Sequence, residues 1–145
     1  GFAIGGSLGR TREEMISMLT AMMPHLPTAK PNHLLGIGDP PSLAEAIPLG
    51  IDTFDSSYPT RCARHGLIFT KNGMIKIERA TYKNDCEPID KTCTCTACQK
   101  YSRAYIHHLF KAKEITGLAL ATMHNLSYMV NLMADYRAKI LNDEI

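Results

Sequence analysis

Two groups of side chains in this sequence could do chemistry: a tight set of cysteines and a single carboxylate. Cys93, Cys95 and Cys98 fall within six residues, and thiolates crowded so closely call for a cation. Zinc in a structural site takes four ligands, with Cys₃His among the usual sets, and His124 in Thr-Met-His-Asn is the downstream histidine that completes one. The competing reading is a disulfide with a leftover thiol. Cys93 and Cys95 are poorly placed to bridge each other, however, and nothing in the sequence points to secretion. With all four positions filled by protein, none is left for water, so a zinc ion there is expected to be structural. The reactive chemistry must come from elsewhere.

The carboxylate is Asp55, in Phe54-Asp55-Ser56-Ser57-Tyr58-Pro59-Thr60-Arg61. It directly follows a short apolar run, and Arg61 and Arg64 come soon after. A carboxylate fixed at a strand end beside positive charge can act as a nucleophile at a sugar anomeric carbon. Aspartate at a strand end more commonly caps a turn, and one carboxylate leaves both readings open. From Thr60 to Lys83 the chain carries Arg61, Arg64, Lys71, Lys76, Arg79 and Lys83 against one acid, Glu78. That stretch suits contacts to a phosphate backbone, or it is a solvated face.

The elements that must position these groups are legible in outline. Gly1 to Gly9 is glycine-rich with an apolar start, as in a loop leaving a strand, though a flexible terminus would show the same composition. Thr11-x-x-Glu14 is a capping box, and Met15, Met18, Leu19 and Met22 follow at helical spacing, a stripe expected to pack in a core until Pro24 and Pro27 end the helix. Leu34 to Gly38 is expected to form a buried strand. Ser42 then caps a short helix with Glu45 three residues on, Pro48 and Gly50 stop it, and Ile51 to Phe54 forms the next strand. Strand, helix, strand with tight links is the rhythm of a parallel sheet, whose chemistry collects at the C-terminal ends of strands.

Beyond Asp55, Leu67–Thr70 and Met74–Ile77 flank Asn72-Gly73, a strong hairpin signal. Gln99 to Lys113 is expected to be one helix with Tyr101, Tyr105 and His108 along one face, a surface suited to a protein contact. The last helix is expected to begin near His124 and to carry Leu126, Val130, Met133, Arg137 and Ile140 at helical spacing, with Arg137 snorkelling.

Bulk composition is permissive: 45% hydrophobic residues and a net charge of +2 in 145 residues fit one domain with a core and single out no partner. No apolar run reaches the twenty residues of a membrane span. Five cysteines that include Cys62 and Cys86 fit a reducing, cytoplasmic setting. The opening Gly-Phe-Ala-Ile, without an initiator methionine, is expected to continue from a longer chain.

Gly1-Phe-Ala-Ile-Gly5, Leu34-Leu-Gly-Ile-Gly38, Gly50-Ile-Asp-Thr-Phe-Asp-Ser56, Pro59-Thr-Arg61, Tyr101-Ser-Arg-Ala-Tyr-Ile-His-His108 and Cys93-x-Cys-x-x-Cys98 with His124-Asn125 together resemble the tRNA-guanine transglycosylases, in order and over nearly the whole chain. The resemblance implies an α/β fold: the C-terminal part of a (β/α)₈ barrel with an inserted zinc-binding subdomain. Residues 1–60 would be the last barrel strands and helices, 61–124 the basic hairpin and zinc subdomain, and 125–145 the helix closing the barrel. Such enzymes exchange guanine at the wobble position of a tRNA anticodon for a 7-deazaguanine, queuine or its aminomethyl precursor.

On that template Asp55 matches the nucleophile. The backbone of Gly1, Phe2, Ala3 and Ile4 matches the loop reading the base edge, Leu35 packs against its face, and Gly36 lets the ring approach. Arg61 and Arg64 match positions on the anticodon loop, and Cys93, Cys95, Cys98 and His124 match the structural zinc ligands. The resemblance further implies a homodimer through the zinc subdomain, with Tyr101, Tyr105 and His108 at the contact. Two departures stand out. Gly6 occupies a position where members using the aminomethyl base usually carry glutamate, which leaves room for bulkier queuine, while Ile4 is large where queuine-using members tend to have glycine. A complete barrel needs about 250 residues, so this stretch by itself is expected to be inactive, with the second catalytic aspartate upstream. The rival readings are a non-catalytic RNA-binding subunit of the same superfamily, which has no need of Asp55, and a free-standing zinc-stabilised RNA-binding module, which has no need of the strand–helix–strand segment before it.

Overall fold

The computed structural model describes all residues from Gly1 to Ile145, which divide into two compact units, Gly1–Tyr58 and Pro59–Ile145. The first is built from parallel strands β1 (Phe2–Ile4), β2 (Asn32–Leu34) and β3 (Thr53–Phe54), in that spatial order. Helix α1 (Arg12–Met22) connects β1 to β2, and α2 (Pro40–Ala46) connects β2 to β3. Parallel neighbours need such crossovers, which is why the strand–helix rhythm is visible in the sequence. The register pairs Ala3 with His33 and His33 with Thr53.

Thr11 caps α1 by accepting the Glu14 N–H, and the Glu14 carboxylate reaches back to the Arg10 N–H, one residue earlier than the reciprocal bond of an ordinary capping box. Met15 and Leu19 enter a core with Ile4, Leu34, Ala46 and Ile51, whereas Met18 stays exposed. The methionine stripe is thus narrower than its spacing suggested.

Three boundaries in this unit differ from the sequence reading, one being the strand expected at Ile51–Phe54, which pairs only over Thr53–Phe54. The strand expected at Leu34–Gly38 runs instead from Asn32 to Leu34, because Gly36 turns left-handed at φ +75° and ends it. Helix α2 is capped by Asp39, not Ser42: Asp39 precedes Pro40 and is confined to extended backbone (φ −85°, ψ 137°), where its carboxylate accepts the Ser42 N–H. Ser42 is therefore buried inside the first turn. The stop at Gly50 is as read, with φ +99° after a short 3₁₀ turn at Ile47–Leu49.

The second unit starts along α3 (Tyr58–Arg64) and continues into the antiparallel hairpin β4 (Leu67–Thr70) and β5 (Gly73–Lys76). Gly73, at φ +101°, supplies the left-handed residue that closes the turn, and the Thr70 hydroxyl donates to its carbonyl at 2.7 Å. Three helices follow: α4 (Thr96–Lys100), α5 (Arg103–Lys111) and α6 (Ile115–Leu141). The single helix expected over Gln99–Lys113 is broken, since Tyr101 is extended and Ser102 starts a new helix by accepting the Tyr105 N–H. Arg103 secures that restart through Asp85 (2.9 Å) and the Ile89 carbonyl (3.0 Å), fixing the loop that leads to the cysteines.

Helix α6 begins nine residues before His124. Its start at Ile-Thr-Gly is poor helical sequence, but Gly117 lies where a Cβ would come 2.9 Å from Leu109 Cβ, so close α5–α6 packing needs the glycine. The buried face of α6 is Gly117, Leu120, Ala121, His124 and Asn125, spaced for one helix stripe. The expected stripe lies elsewhere: Leu126, Val130 and Ile140 are exposed, Val130 at 68%, and Arg137 is exposed too. No helix is long and apolar enough to cross a membrane.

Candidate active site and metal centre

In the first unit the chemistry gathers at the ends of β2 and β3. Thr53 and Asp55 are two residues apart, so a strand's alternation puts them on the same side, and the register sets His33 beside Thr53. His33 consequently spans both: Nδ1 meets the Thr53 hydroxyl at 2.8 Å and Nε2 meets Asp55 Oδ1 at 3.0 Å. The left-handed turn at Gly36 aims its N–H at the same oxygen, 3.2 Å away. The Ser56 hydroxyl donates to the Gly36 carbonyl and accepts the Tyr58 N–H, tying the two strand-end turns together. Gly38 lets them touch, since a Cβ there would collide with Ser56 Cβ.

Asp55 is held yet accessible, with its side chain 62% exposed. The His33 hydrogen bond, followed by that from Gly36, holds its carboxyl below the usual value of 3.8, so it is an anion at neutral pH. Sequence reasoning missed His33. The signal was present in strand alternation, but it needed the register between β2 and β3 to be readable.

The other residues singled out around this carboxylate sit as follows. Gly1 is exposed just before β1, and Phe2, Ala3 and Ile4 form it, with Ile4 buried. Leu35 donates its N–H to the Ile4 carbonyl at 2.8 Å, presses its side chain against Gly5, and stays 45% exposed. Gly6 has φ +89° and open space around it. Arg61 and Arg64 are exposed on α3, in the second unit.

In that unit Cys93, Cys95, Cys98 and His124 converge, their ligand atoms all within 4.8 Å of one another. His124 Nδ1 lies 3.2 Å from Cys98 Sγ and 3.6 Å from Cys95 Sγ. A tetrahedral zinc with ordinary Zn–S and Zn–N bonds sets sulfur and nitrogen about 3.6 Å apart, so the geometry fits. His124 Nε2 donates to the Phe69 carbonyl at 2.8 Å, which leaves Nδ1 as the lone-pair nitrogen facing the thiols. Burial keeps this imidazole neutral, as a ligand must be.

Burial and neighbouring thiols push Cys98 and Cys93 upward, a penalty that a coordinated dication reverses. Asp90 orders the approach: burial works against its charge, but the Thr92 N–H and hydroxyl, both at 2.8 Å, hold its carboxyl below the usual range. The site is buried, has four protein ligands and mixes thiolate with imidazole, which is the donor set of structural zinc. The remaining cysteines, Cys62 and Cys86, are free.

The aromatic residues Tyr101 and Tyr105 stack at 5.1 Å between centroids, while Tyr105 and His108 are exposed on α5. Tyr101 is half-buried and lies before α5, so the single helical face expected for the three residues is not formed.

A parallel strand–helix–strand segment ending on an anchored anionic carboxylate, joined in one chain to a Cys₃His knot, defines a mixed α/β protein of a zinc-bearing class. Comparison with known proteins makes the assignment specific. The chain belongs to the queuine tRNA-ribosyltransferase family, whose model matches residues 1–145. It is 57% identical over 145 residues to the queuine tRNA-ribosyltransferase of Protochlamydia amoebophila, covering 100% of this chain and 38% of that protein. The protein of that name from Chlamydia felis is 52% identical over 146 residues, covering 100% of this chain and 39% of the relative. That from Thiobacillus denitrificans is 49% identical over 141 residues, covering 97% of this chain and 38% of the relative. The chain thus spans about two-fifths of the length of these curated relatives.

Proposed function

We propose that this chain is the C-terminal portion of a tRNA-guanine transglycosylase that exchanges wobble guanine for a 7-deazaguanine. Residues 1–60 are the closing strands and helices of a (β/α)₈ barrel, 61–124 the basic hairpin and zinc subdomain, and 125–145 the closing helix. The observation that carries the reading is the strand-end carboxylate of Asp55, anionic, exposed and fixed through Oδ1 by His33 and Gly36, in a chain of this family.

With Oδ1 engaged by two donors, Oδ2 attacks the ribose C1′. The C1′–N9 bond breaks and guanine leaves with that bonding pair, taking up a proton. The ester that forms is opened when the ring nitrogen of the incoming deazaguanine attacks C1′, gives up its own proton and releases the Asp55 carboxylate, which balances the proton taken up by guanine. Two displacements retain the anomeric configuration, in the manner of a retaining glycosidase. The target nucleotide must leave its stack to reach the carboxylate. The backbone of Gly1, Phe2, Ala3 and Ile4 reads the base edge, Leu35 covers its face, and Gly36 admits the ring. Arg61 and Arg64 hold the flanking phosphates of the anticodon loop.

Zinc held by Cys93, Cys95, Cys98 and His124 would crosslink the loop before α4 and α4 itself to α6. Exposed Tyr105 and His108, with half-buried Tyr101 stacked on Tyr105, support homodimerisation through this unit. The enzyme works in the cytoplasm, where its tRNA substrate is found.

The test is to trap a covalent RNA adduct on the full-length protein and map it to one side chain. Asp55 is the expected site, and Asp55→Ala is expected to abolish adduct and base exchange. Undiminished exchange in that variant ends the proposal.

A further inference from the structure

Asn125 is neither a metal ligand nor one of the residues assigned above to the reaction, yet it is completely buried and fully engaged. Its Oδ1 accepts the Phe69 N–H at 3.0 Å, and its Nδ2 donates to the Leu67 carbonyl at 2.9 Å and the Pro59 carbonyl at 3.1 Å. An interior amide satisfied by three backbone groups is a rigid joint, because losing it strands polar groups where water cannot reach them. Its chain neighbour His124 takes the Phe69 carbonyl through Nε2. Two consecutive residues of α6 therefore hold both backbone polar groups of Phe69. Alternate residues of an edge strand point their N–H and C=O the same way, which is how Leu67 is reached as well.

These bonds join three things. His124 offers Nδ1 to the cysteine cluster. Phe69 and Leu67 belong to β4 of the basic hairpin. Pro59 belongs to α3, which also carries Arg61 and Arg64. We propose that Asn125 is a positioning residue that couples the metal centre to the helix bearing Arg61 and Arg64, so that grip on RNA depends on the metal although no arginine touches it. The coupling runs through one turn of α6: the metal fixes His124, the fixed turn holds Asn125, and Asn125 holds α3 and β4. The RNA-binding half of this statement rests on the function proposed above; the mechanical half does not.

The test uses hydrogen exchange on the full-length protein, wild type against Asn125→Ala, with zinc bound and after chelation. Asn125→Ala is expected to keep its equivalent of zinc while amides of residues 59–70 exchange about tenfold faster or more. In wild type, chelation is expected to accelerate the same segment, and added zinc to restore it. With tRNA as substrate, the variant is expected to show a raised KM and a kcat within about twofold of wild type, the split that displaced binding groups give. Unchanged exchange over residues 59–70 in the zinc-loaded variant overturns the proposal. So does a variant that loses zinc as readily as a ligand variant, because Asn125 would then act only on metal retention. If Asn125→Ala does not fold, wild type decides alone: protection of 59–70 that survives chelation overturns the coupling. A wild-type protein without transglycosylase activity overturns the functional reading, and the exchange comparison still decides the mechanical one.

Discussion

Replacing His124 separates two roles that one imidazole performs. Its Nδ1 faces the thiols and its Nε2 holds the Phe69 carbonyl, and the residue is only 1% exposed. His124→Ala opens a cavity in a packed interior, at about 2–4 kcal/mol. It also strands the carbonyl of a residue that is itself buried, at about 1–3 kcal/mol. The loss is thus roughly 3–7 kcal/mol before metal is counted, against a typical domain stability of about 5–15 kcal/mol. Losing a ligand from a Cys₃His site adds more, since structural zinc binding is itself folding free energy. His124→Ala is therefore expected to abolish zinc retention and cooperative unfolding of the second unit. His124→Cys restores a fourth ligand but not the Phe69 bond, so it is expected to retain about one equivalent of zinc and to lose about 1–3 kcal/mol for the stranded carbonyl plus a smaller cavity cost than alanine leaves. The assay is zinc stoichiometry together with thermal unfolding of the full-length protein. A His124→Ala protein that keeps a full equivalent of zinc and the wild-type Tm would refute both the ligand assignment and the role given to Nε2.

Two further substitutions test the remaining geometry. The Asp55 carboxyl lies below its usual value because His33 and Gly36 donate to it, so its charged form is favoured above that usual value and lost as pH falls through the lowered one. His33→Ala removes the larger contribution, and in the full-length protein the acid limb of the pH profile of the base exchange proposed above is expected to move to higher pH; an unmoved limb would remove His33 from the site. Gly117→Ala should gain up to about 1 kcal/mol of helix propensity, yet its Cβ would sit 2.9 Å from Leu109 Cβ and 3.3 Å from Phe110. Overpacking at about 1–3 kcal/mol is the larger effect, so denaturant unfolding should show a net loss of about 1 kcal/mol, and a stabilised protein would contradict the close α5–α6 contact.

What the sequence determined by itself was local chemistry. Three cysteines in six residues with a later histidine specify a metal-binding set wherever the chain goes, because ligand number and type are properties of the residues. The Asn72-Gly73 hairpin and the strand–helix–strand rhythm were legible for the same reason, being set by turn chemistry and periodicity. Tertiary structure decided what depends on register and packing. The partnership of His33 with Asp55 appears only once β2 and β3 are paired. The early start of α6 at a weak helical sequence is imposed by Leu109 against Gly117, and the face of α6 that is buried follows the metal ligand His124 and its neighbour Asn125, not the apolar stripe from Leu126 to Ile140. Periodicity reports that a helix has an apolar side, whereas contacts made by distant segments select the side it buries.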